Sequence, residues 1–396
     1  MGRPPVTCRS GITPHTASTV VPMSRPADRC PGVFSAHPAA DGHLARIRLP
    51  GGLITPAQLQ ALVVVADEFG DGHMELTSRG NLQLRGIADV AGAGDLIVDA
   101  DLIPTPSHER VRNLQLSALS GRRGGLLDGR PVLDRLDVAL RGDNLLAALP
   151  ARFLFGVDDG RGDVLAEAPD VGVVAVDSGH FDLVVAGNPT GRQVTADRAA
   201  VTMLDVAHAF LTDRADEWRV QDLDASPTIT GLLEGLPRTR PHTPPAPPSE
   251  PLVGWLAQDD DLISLGSVVP HGRLSARIAE FLAAIERDIY LTPRKEILVC
   301  DLTDGMADTV VRVLAPMGLI FDATSPWTRV SACSGLPGCD KSHADVRGDL
   351  EQYLAVGDQS VDSREHWVGC ERGCGSPHSA HIRVQATPVG YERRAF

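Results

Sequence analysis

The sequence of 396 residues lacks several features that would each point to a class of protein. It has no run of eighteen apolar residues, the length that a membrane-spanning helix needs, so no membrane partner is expected. Its net charge of -14 would be repelled by nucleic acid or by an anionic membrane surface. No G-x-G-x-x-G follows a predicted strand, so no nicotinamide-binding fold is indicated.

Lysine is nearly absent, since Lys295 and Lys341 are the two lysines of the chain, whereas arginine is abundant. Arginine is therefore the plentiful anion-binding group. Residues 1–28 are rich in Pro, Ser, Thr and Arg and lack the apolar stretch of a secretory signal. We expect a disordered leader there, or upstream sequence before a start at Met23. Unpaired cysteines, together with the cysteine motif described next, indicate a reducing, cytoplasmic location.

Four of the seven cysteines form two closely spaced pairs near the C-terminal end. They are Cys333 and Cys339, spaced C-x5-C, and Cys370 and Cys374, spaced C-x3-C. Four thiolates complete the ligand set of a [4Fe–4S] cluster or of a zinc ion. Zinc sites hold each pair in a shorter knuckle, so the wide first spacing favours the cluster. Zinc and unligated thiols remain open as alternatives.

A strand, a turn and a helix are predicted at the start of the first half. The segment from Leu44 to Leu49 alternates apolar and polar residues like a strand, and Gly51-Gly52 then turns the chain. Thr55-Pro56-Ala57-Gln58 has the residues of a capping box, and apolar residues at helical spacing follow it. A strand–turn–strand is predicted from Met74 to Ile87.

The same order of patterns recurs in the second half. Apolar residues from Leu274 to Ile285 predict a second amphipathic helix, and Thr292-Pro293-Arg294 repeats Thr77-Ser78-Arg79. Cys333 lies in a Ser-Ala-x-Ser-Gly segment whose first copy has Leu119 at that position. The simplest interpretation is a duplicated α+β unit in which the second copy alone keeps the cluster ligands.

These motifs resemble those of the nitrite/sulfite reductase superfamily, from Cys30 to about Val389. The resemblance is carried by the two cysteine pairs, the repeated Thr-x-Arg unit, Val111-Arg112-Asn113 and Leu149-Pro150-Ala151-Arg152-Phe153. It implies an α+β fold with an internally duplicated architecture, in which two ferredoxin-like half-domains and two α/β domains surround a pseudo-twofold axis.

The resemblance and a proline-rich segment between the copies divide the chain into six parts. They are the leader at 1–28, half-domain 1 at 29–90, domain 1 at 91–235, the linker at 236–251, half-domain 2 at 252–303, and the [4Fe–4S]-binding domain 2 at 304–396.

Within the superfamily, the sequence is most similar to the precorrin-3B synthase branch. Local resemblances include Cys30-Pro31-Gly32-Val33 and Cys339-Asp340-Lys341-Ser342-His343. That branch implies an oxygen-dependent monooxygenase of aerobic cobalamin biosynthesis, which hydroxylates precorrin-3A at C20 and closes a γ-lactone. It also implies a separate electron donor, either a ferredoxin or an NADH-dependent reductase. The alternative is a ferredoxin-nitrite or sulfite reductase with sirohaem as a cofactor.

The resemblance also implies roles for particular residues. Cys333, Cys339, Cys370 and Cys374 would hold the cluster, with Cys374 nearest the tetrapyrrole. Guanidinium groups bind carboxylates bidentately, and polar side chains can bind the ring edge. The substrate-binding residues expected on these grounds are Arg79, Arg112, Arg152, Asn81 and Gln83, with Arg85, Arg122 and Arg123 as further candidates. Leu154 stands where the family has a second basic residue, which fits a changed ligand.

A mononuclear non-haem iron that activates oxygen is a further cofactor implied by the branch. Such an iron is usually held by histidine and carboxylate ligands. Candidate ligands lie near the cysteines in sequence and comprise His343, Asp345, His366, His378 and His381. The sequence assigns neither the ligands of this iron nor a catalytic residue.

Overall fold

The computed structural model describes residues 28, 30–240, 243, 245–246, 248, 250–356, 361–377 and 379–396. Apart from Asp28, the predicted leader lies outside the described residues, as do His378 and part of the predicted linker. Within the described ranges, no helix is long and apolar enough to cross a bilayer.

The described residues form eight α-helices and nineteen β-strands, which we number in chain order. The helices are α1 (Pro56–Phe69), α2 (Val90–Asp99), α3 (Arg130–Gly142), α4 (Ala199–Asp213), α5 (Pro227–Glu234), α6 (Ala276–Ala283), α7 (Asp304–Leu314) and α8 (Val346–Ala355). The strands of the first half are β1 (His37–Ala39), β2 (Gly42–Ile47), β3 (Leu53–Ile54), β4 (His73–Leu76), β5 (Leu82–Ile87), β6 (Leu114–Leu116), β7 (Phe155–Asp158), β8 (Val171–Ala175), β9 (His180–Val185) and β10 (Asn188–Thr195). Those of the second half are β11 (Gly254–Ala257), β12 (Ile263–Val268), β13 (Arg273–Ser275), β14 (Ile289–Leu291), β15 (Glu296–Leu302), β16 (Val330–Ala332), β17 (Glu365–Val368), β18 (Ile382–Thr387) and β19 (Gly390–Ala395).

The two half-domains are antiparallel sheets that exchange a strand. Their strand orders are β1-β2-β5-β4-β13 and β11-β12-β15-β14-β3, so the last strand of each sheet comes from the other half of the chain. Both exchanged strands are antiparallel to their partners, β13 to β4 and β3 to β14. One hydrophobic core, which includes Ile54, Leu84, Leu274 and Ile297, serves both sheets. The two copies are therefore joined by backbone pairing as well as by side-chain packing.

The first helix begins as its sequence predicts. The Thr55 hydroxyl accepts from the Gln58 amide at 3.3 Å, and the Gln58 side-chain oxygen accepts from the Thr55 amide at 3.1 Å. These reciprocal bonds satisfy two amides that have no partner inside the helix. Leu59 and Leu62 on the buried face of α1 then enter the shared core.

The second predicted helix begins later than its apolar pattern indicates. Leu274 lies in β13 and not in a helix, because Arg273–Ser275 is extended against β4. Ser275 then caps α6 by accepting from the Ile278 amide. The helix ends at Ala283, before Ile285. Periodicity alone could not show this, since the strand partner lies in the other half of the chain.

The hydrophobic core that the two half-domains share continues past their predicted C-terminal boundaries. Helix α2 starts at Val90 and contributes Ala93 and Ile97 to the shared core, although the boundary was expected at residue 90. Helix α7 likewise contributes Ala307 and Leu314, past the boundary expected at residue 303. We therefore use half-domain 1 for β1–β5 with α1 and α2, and half-domain 2 for β11–β15 with α6 and α7.

The remaining sheets repeat one another as well. Domain 1 has the strand order β10-β9-β8-β7-β6, and domain 2 has β16-β17-β18-β19. In both, the first two neighbouring pairs along the chain are parallel and the third is antiparallel. Helices α3, α4 and α5 belong to domain 1, and α8 belongs to domain 2. The predicted duplicated α+β architecture is confirmed.

The described residues of the proline-rich linker follow the edge of domain 1. The Pro237 carbonyl accepts from the Gln193 amide at 2.8 Å, and the Thr239 amide donates to the Gly191 carbonyl at 2.9 Å. The linker thus begins as an extended segment beside β10, as the fixed φ of proline favours.

Gly52 is required by the strand exchange. Its φ is 73°, and a Cβ there would collide with the Leu291 carbonyl oxygen, beside the β3–β14 pairing. We expect Gly52→Ala to lower the free energy of unfolding by about 3 kcal/mol in chemical denaturation. Gly231→Ala in α5 is the control, because nothing lies within 4 Å of its Cβ position. The control should be neutral or slightly stabilising. Equal stability of both variants would refute the requirement.

Candidate functional site

The four cysteines lie on two loops that follow neighbouring strands of domain 2. Cys333 comes directly after β16, and Cys370 comes shortly after β17. Because β16 and β17 are parallel, their carboxyl ends meet at one edge of the sheet. The Cys333 amide donates to the Trp367 carbonyl at 2.9 Å, and the Gly369 amide donates to the Cys333 sulfur at 3.2 Å. The structure thus brings the two cysteine pairs together.

Hydrogen bonds and electrostatics join the remaining parts of these loops. The His343 amide donates to the Gly369 carbonyl at 2.9 Å, which links the end of the first loop to the second. Burial raises the pKa of the Cys333 thiol, amides of Gly369 and Gly335 oppose that rise, and the thiolates of Cys374 and Cys339 add to it. Three of the four sulfurs therefore share one electrostatic environment.

The spacing of the sulfurs distinguishes between two kinds of metal site. A tetrahedral zinc ion, with Zn–S bonds of about 2.3 Å, holds its sulfurs about 3.8 Å apart. Among the described residues, one group of three or more His, Cys, Asp or Glu has all its ligand atoms within 4.8 Å, and it contains no cysteine. No three of the four cysteine sulfurs therefore lie as close together as the ligands of a single zinc ion would. The wider spacing and the amide bonded to the Cys333 sulfur suit a larger iron–sulfur cluster.

The compact acidic group, Asp158, Asp159 and Asp163, braces a loop of domain 1. The Asp158 carboxylate accepts from four backbone amides at 2.9–3.0 Å. Asp159 is ion-paired with Arg161, and Asp163 accepts from the Ser117 hydroxyl. These contacts within the loop explain why the three carboxylates lie close together.

The described histidines near the cysteines have structural contacts. His366 is fully buried, and its Nε2 donates to the Cys374 carbonyl at 3.0 Å while its Nδ1 accepts from Ser331 at 2.8 Å. Burial lowers its pKa to about 3, so the ring is neutral and holds the Cys374 loop in place. His343 is exposed, and Asp345 caps α8. Within the described chain no trio of ligands for a mononuclear iron forms here.

Two arginines attach the cysteine loops to half-domain 1. Arg85 binds Asp41 bidentately at 2.9 and 3.0 Å, and it donates to the Gly338 carbonyl at 2.6 Å. Gly338 immediately precedes Cys339. Arg347, at the start of α8, is ion-paired with Glu75 on β4. Arg85 is therefore placed as a support for the C-x5-C loop and not as a clamp for substrate.

A cavity of about 380 Å³ opens between domain 1, half-domain 2 and domain 2. Its charged lining comprises three arginines and three carboxyl groups, namely Arg294, Arg329, Arg364, Asp163, Glu167 and Asp362. Arg364 stands directly before β17, the strand that leads to Cys370. Burial raises the pKa of Glu167 to about 7, against the opposing charges of Arg364, Arg79 and Arg294. Arginines of both half-domains and of domain 2 therefore surround one carboxyl group of domain 1.

Arg79 is a largely buried arginine near another positive charge. Burial and the nearby charge of Arg219 lower its pKa to about 10. No carboxylate within the described chain lies at salt-bridge distance from it, since the neighbouring Asp170 pairs with Arg219 at 2.6 Å. Arg294 is its counterpart in the second copy. Comparing the two Thr-x-Arg segments would have identified Arg294 from sequence, whereas no sequence signal marks Arg329 or Arg364.

Comparison with known proteins supports the interpretation of this architecture. A family model described as the nitrite/sulfite reductase ferredoxin-like half domain matches residues 37–91. A precorrin-3B synthase from a Sinorhizobium species is 26% identical over 392 residues, which cover 95% of this chain and 83% of that protein. A ferredoxin–nitrite reductase from Leptolyngbya laminosa is 26% identical over 417 residues, covering 92% of this chain and 80% of that protein.

A solved structure has the same fold. The Mycobacterium tuberculosis NirA protein aligns with a TM-score of 0.68 at 19% identity, over 89% of this chain and 73% of that one. The chain is similar to proteins of the nitrite/sulfite reductase superfamily over most of its length. The resemblance and the fold class predicted from the sequence are thereby confirmed. Both rest on alignments that run through the two halves of the chain, and not on the match to one half-domain alone.

Several residues that the superfamily pattern predicted to contact substrate are bonded to other residues of the chain. Arg112 is buried and binds Asp137 bidentately at 2.8 and 3.1 Å. Asn81 is buried and accepts from the Leu49 amide at 2.8 Å. Gln83 lies between Arg46 and Glu75, at 2.9 and 3.0 Å. These contacts give Arg112 and Asn81 structural roles, unlike the expected ones, because their polar groups are already satisfied.

The other superfamily positions differ in their exposure. Arg152 is exposed and stacks on Trp218, with its guanidinium 4.7 Å from the ring centre. Leu154 is 2% exposed within domain 1. Arg122 binds Asp301 bidentately at 2.9 and 2.8 Å and thereby docks domain 1 on half-domain 2. Arg123 is exposed at a neighbouring cavity. Among the arginines predicted as clamps, Arg79 is the one whose surroundings suit an incoming anion.

Removing Arg85 tests the docking of the cysteine loop. We expect Arg85→Met to leave the fold intact but to speed amide hydrogen exchange in residues 333–343, because the loop loses its bond to half-domain 1. Arg312→Met is the control, since that side chain is 77% exposed on α7. Hydrogen exchange with mass spectrometry measures the difference. Unchanged exchange in the loop would show that Arg347 and the β16–β17 pairing suffice.

Proposed function

We propose that the protein is an oxidoreductase of the precorrin-3B synthase type. It would use dioxygen to hydroxylate precorrin-3A at C20, with closure of the γ-lactone. The observation that carries this proposal is the convergence of Arg79, Arg294 and Arg364 on the Glu167 carboxyl, which lines one cavity together with Arg294 and Arg364. The similarity to a precorrin-3B synthase over 95% of the chain supports it.

The four cysteines fit a [4Fe–4S] cluster, which would be held by Cys333, Cys339, Cys370 and Cys374. When bound, such a cluster supplies single electrons, which the reduction of dioxygen requires. The chain itself contributes the amides of Gly369 and Gly335, which point at the Cys333 sulfur and favour negative charge there. His366 holds the Cys374 loop from the other side through its bond to the Cys374 carbonyl.

The arginines would bind and orient the substrate. A precorrin carries acetate and propionate groups around a wide ring, and guanidinium groups bind carboxylates with defined geometry. Because Arg79, Arg294 and Arg364 come from different parts of the fold, each can take a different carboxylate of one macrocycle. Binding at several points fixes the orientation of the ring relative to the cysteine loops.

The electrons would come from a separate protein. In a monooxygenase reaction one oxygen atom enters the substrate and the other leaves as water, so each turnover consumes two electrons. Neither the sequence nor the described sheets contain the Gly-rich strand–turn–helix of a nicotinamide site. A ferredoxin or an NADH-dependent reductase is therefore proposed as the donor.

A second candidate is a sirohaem-dependent nitrite or sulfite reductase. The similarity to a ferredoxin–nitrite reductase, 26% identical over 92% of the chain, favours it. Two features of the site argue against it. Leu154 occupies the position of the second basic residue, and the charge of Arg112 is neutralised by Asp137.

Anaerobic purification followed by incubation with precorrin-3A and labelled dioxygen separates the two candidates. We expect iron and acid-labile sulfide in the protein, cluster absorbance without a chlorin band, and one labelled oxygen atom in the product. A chlorin band that survives purification, together with reduction of nitrite or sulfite, would replace this proposal with the reductase.

Loss of Cys374 should remove the cluster and the activity together. We expect Cys374→Ser to contain little iron and sulfide and to leave precorrin-3A unchanged, because an incomplete thiolate set holds a cluster poorly. Cys300→Ala is the matched control, since Cys300 is buried in β15 of half-domain 2. Full hydroxylation by the Cys374 variant would contradict the role of the cluster as electron source.

Loss of Arg79 should weaken substrate binding without affecting the cluster. We expect Arg79→Met to raise the dissociation constant of precorrin-3A by about 10- to 100-fold, the range for a lost charge-assisted hydrogen bond. An anaerobic absorbance titration measures it, and the cluster spectrum should stay unchanged. Arg312→Met, on the exposed face of α7, should bind normally. Equal affinity of both variants would remove Arg79 from the site.

A further inference from the structure

Lys295 occupies a backbone position that disfavours any side chain. It lies in the turn between β14 and β15 with a φ of 64°, and its amide donates to the Thr292 carbonyl at 3.0 Å. The counterpart turn of the first copy has Gly80, with a φ of 66° and the same bond to Thr77. The second copy therefore keeps a lysine in a left-handed conformation that glycine would adopt without strain. Such an outlier points to a role for the side chain.

The Lys295 side chain runs toward the cysteine loops. A Cβ on Gly272 would lie 2.6 Å from Lys295 Cδ, so the aliphatic stem passes directly over that glycine. The turn that contains Gly272 packs against β16, the strand that ends at Ala332, directly before Cys333. The groups whose charges act on the Lys295 ammonium are Glu75, Arg347, Arg364 and Cys333. The ammonium group is thus close enough to Cys333 and to Arg364, which lines the cavity, for their charges to act on it.

The charge of Lys295 is not neutralised by contact. No hydrogen bond or ion pair joins its ammonium group to another described residue. The acidic neighbour, Glu75, is already ion-paired with Arg347 and bonded to Gln83. Burial lowers the pKa of Lys295 to about 8, so the group is still mainly protonated at neutral pH. The structure therefore places an unpaired positive charge in poorly hydrated surroundings beside the cysteine loops.

We propose that Lys295 is a positioning charge that raises the reduction potential of the cluster held by the four cysteines. Reduction adds one negative charge to a cluster, and a nearby cation in low-dielectric surroundings stabilises the reduced form. The lysine would thus favour entry of an electron from the external donor. This inference rests on the proposed cluster, but it does not depend on which substrate the superfamily member uses.

The test is a redox titration of the intact, cluster-containing protein under anaerobic conditions. Lys295→Met keeps the length of the side chain and removes its charge. Lys295→Gly also removes the charge and restores the residue of the first copy, so it relieves the backbone strain. We expect both variants to shift the reduction equilibrium at least tenfold toward the oxidised cluster. For a one-electron couple, this shift lowers the reduction potential by about 59 mV. Lys295→Arg should retain most of the potential.

Lys341 provides the matched control, because it is the other lysine of the chain and lies two residues after Cys339. It is exposed, so water and salt screen its charge, and Lys341→Met should shift the equilibrium less than about threefold. An unchanged potential in Lys295→Gly with full cluster content would overturn the inference. Equal shifts in the Lys295 and Lys341 variants would also overturn it, since burial would then be irrelevant. Absence of iron and sulfide from the unaltered protein would instead refute the proposed cluster.

Discussion

The exchange of one strand between the two half-domains is the constraint on which the rest of the structure depends. Strand β3 of the first copy completes the sheet of the second, and β13 of the second completes the sheet of the first. Backbone hydrogen bonds are directional and cannot be left unpaired in the interior, so these short strands fix how the copies lie against each other. The shared core then fills the space between the sheets. Arg79 and Arg294, on equivalent turns of the two sheets, can approach the same carboxyl group, Glu167, because this arrangement is fixed.

Duplication made the two halves alike, and the site arises where they differ. Domain 1 and domain 2 share a sheet order, and the loop after the first strand of each docks on the opposite half-domain. In the first copy that loop has Leu119 and is held by Arg122 to Asp301. In the second it has Cys333 and is held through Gly338 to Arg85. The same docking geometry therefore serves as a structural joint in one copy and as a support for thiolates in the other. A further difference of this kind is that the second copy has Lys295 at the turn position where the first copy has Gly80.

Local sequence signals predicted the features that depend on neighbouring residues. The capping box at Thr55 and Gln58 and the Thr-x-Arg repeat each involve a few consecutive residues. The structure has the capping box and two equivalent turns where they were expected. The strand exchange could not be predicted, because β3 has two residues and no periodicity, and its partner lies in the other half of the chain. The ion pair of Arg112 could not be predicted for the same reason. Its partner Asp137 lies on α3, and no motif records a contact between distant segments.

The charges of the cavity bear on the size of ligand that it suits. In the protein alone, Arg79 lies near Arg219 and Arg46, and these like charges together with burial lower its pKa. Glu167 is the carboxyl that the arginines surround, and desolvation raises its pKa, so it balances their charge incompletely at neutral pH. A small oxyanion can pair with one or two guanidinium groups. A macrocycle with carboxylates spread around its edge can reach arginines that come from separate domains and can pair with several of them at once. The distribution of the arginines over three parts of the fold thus favours a large polycarboxylate over a small anion.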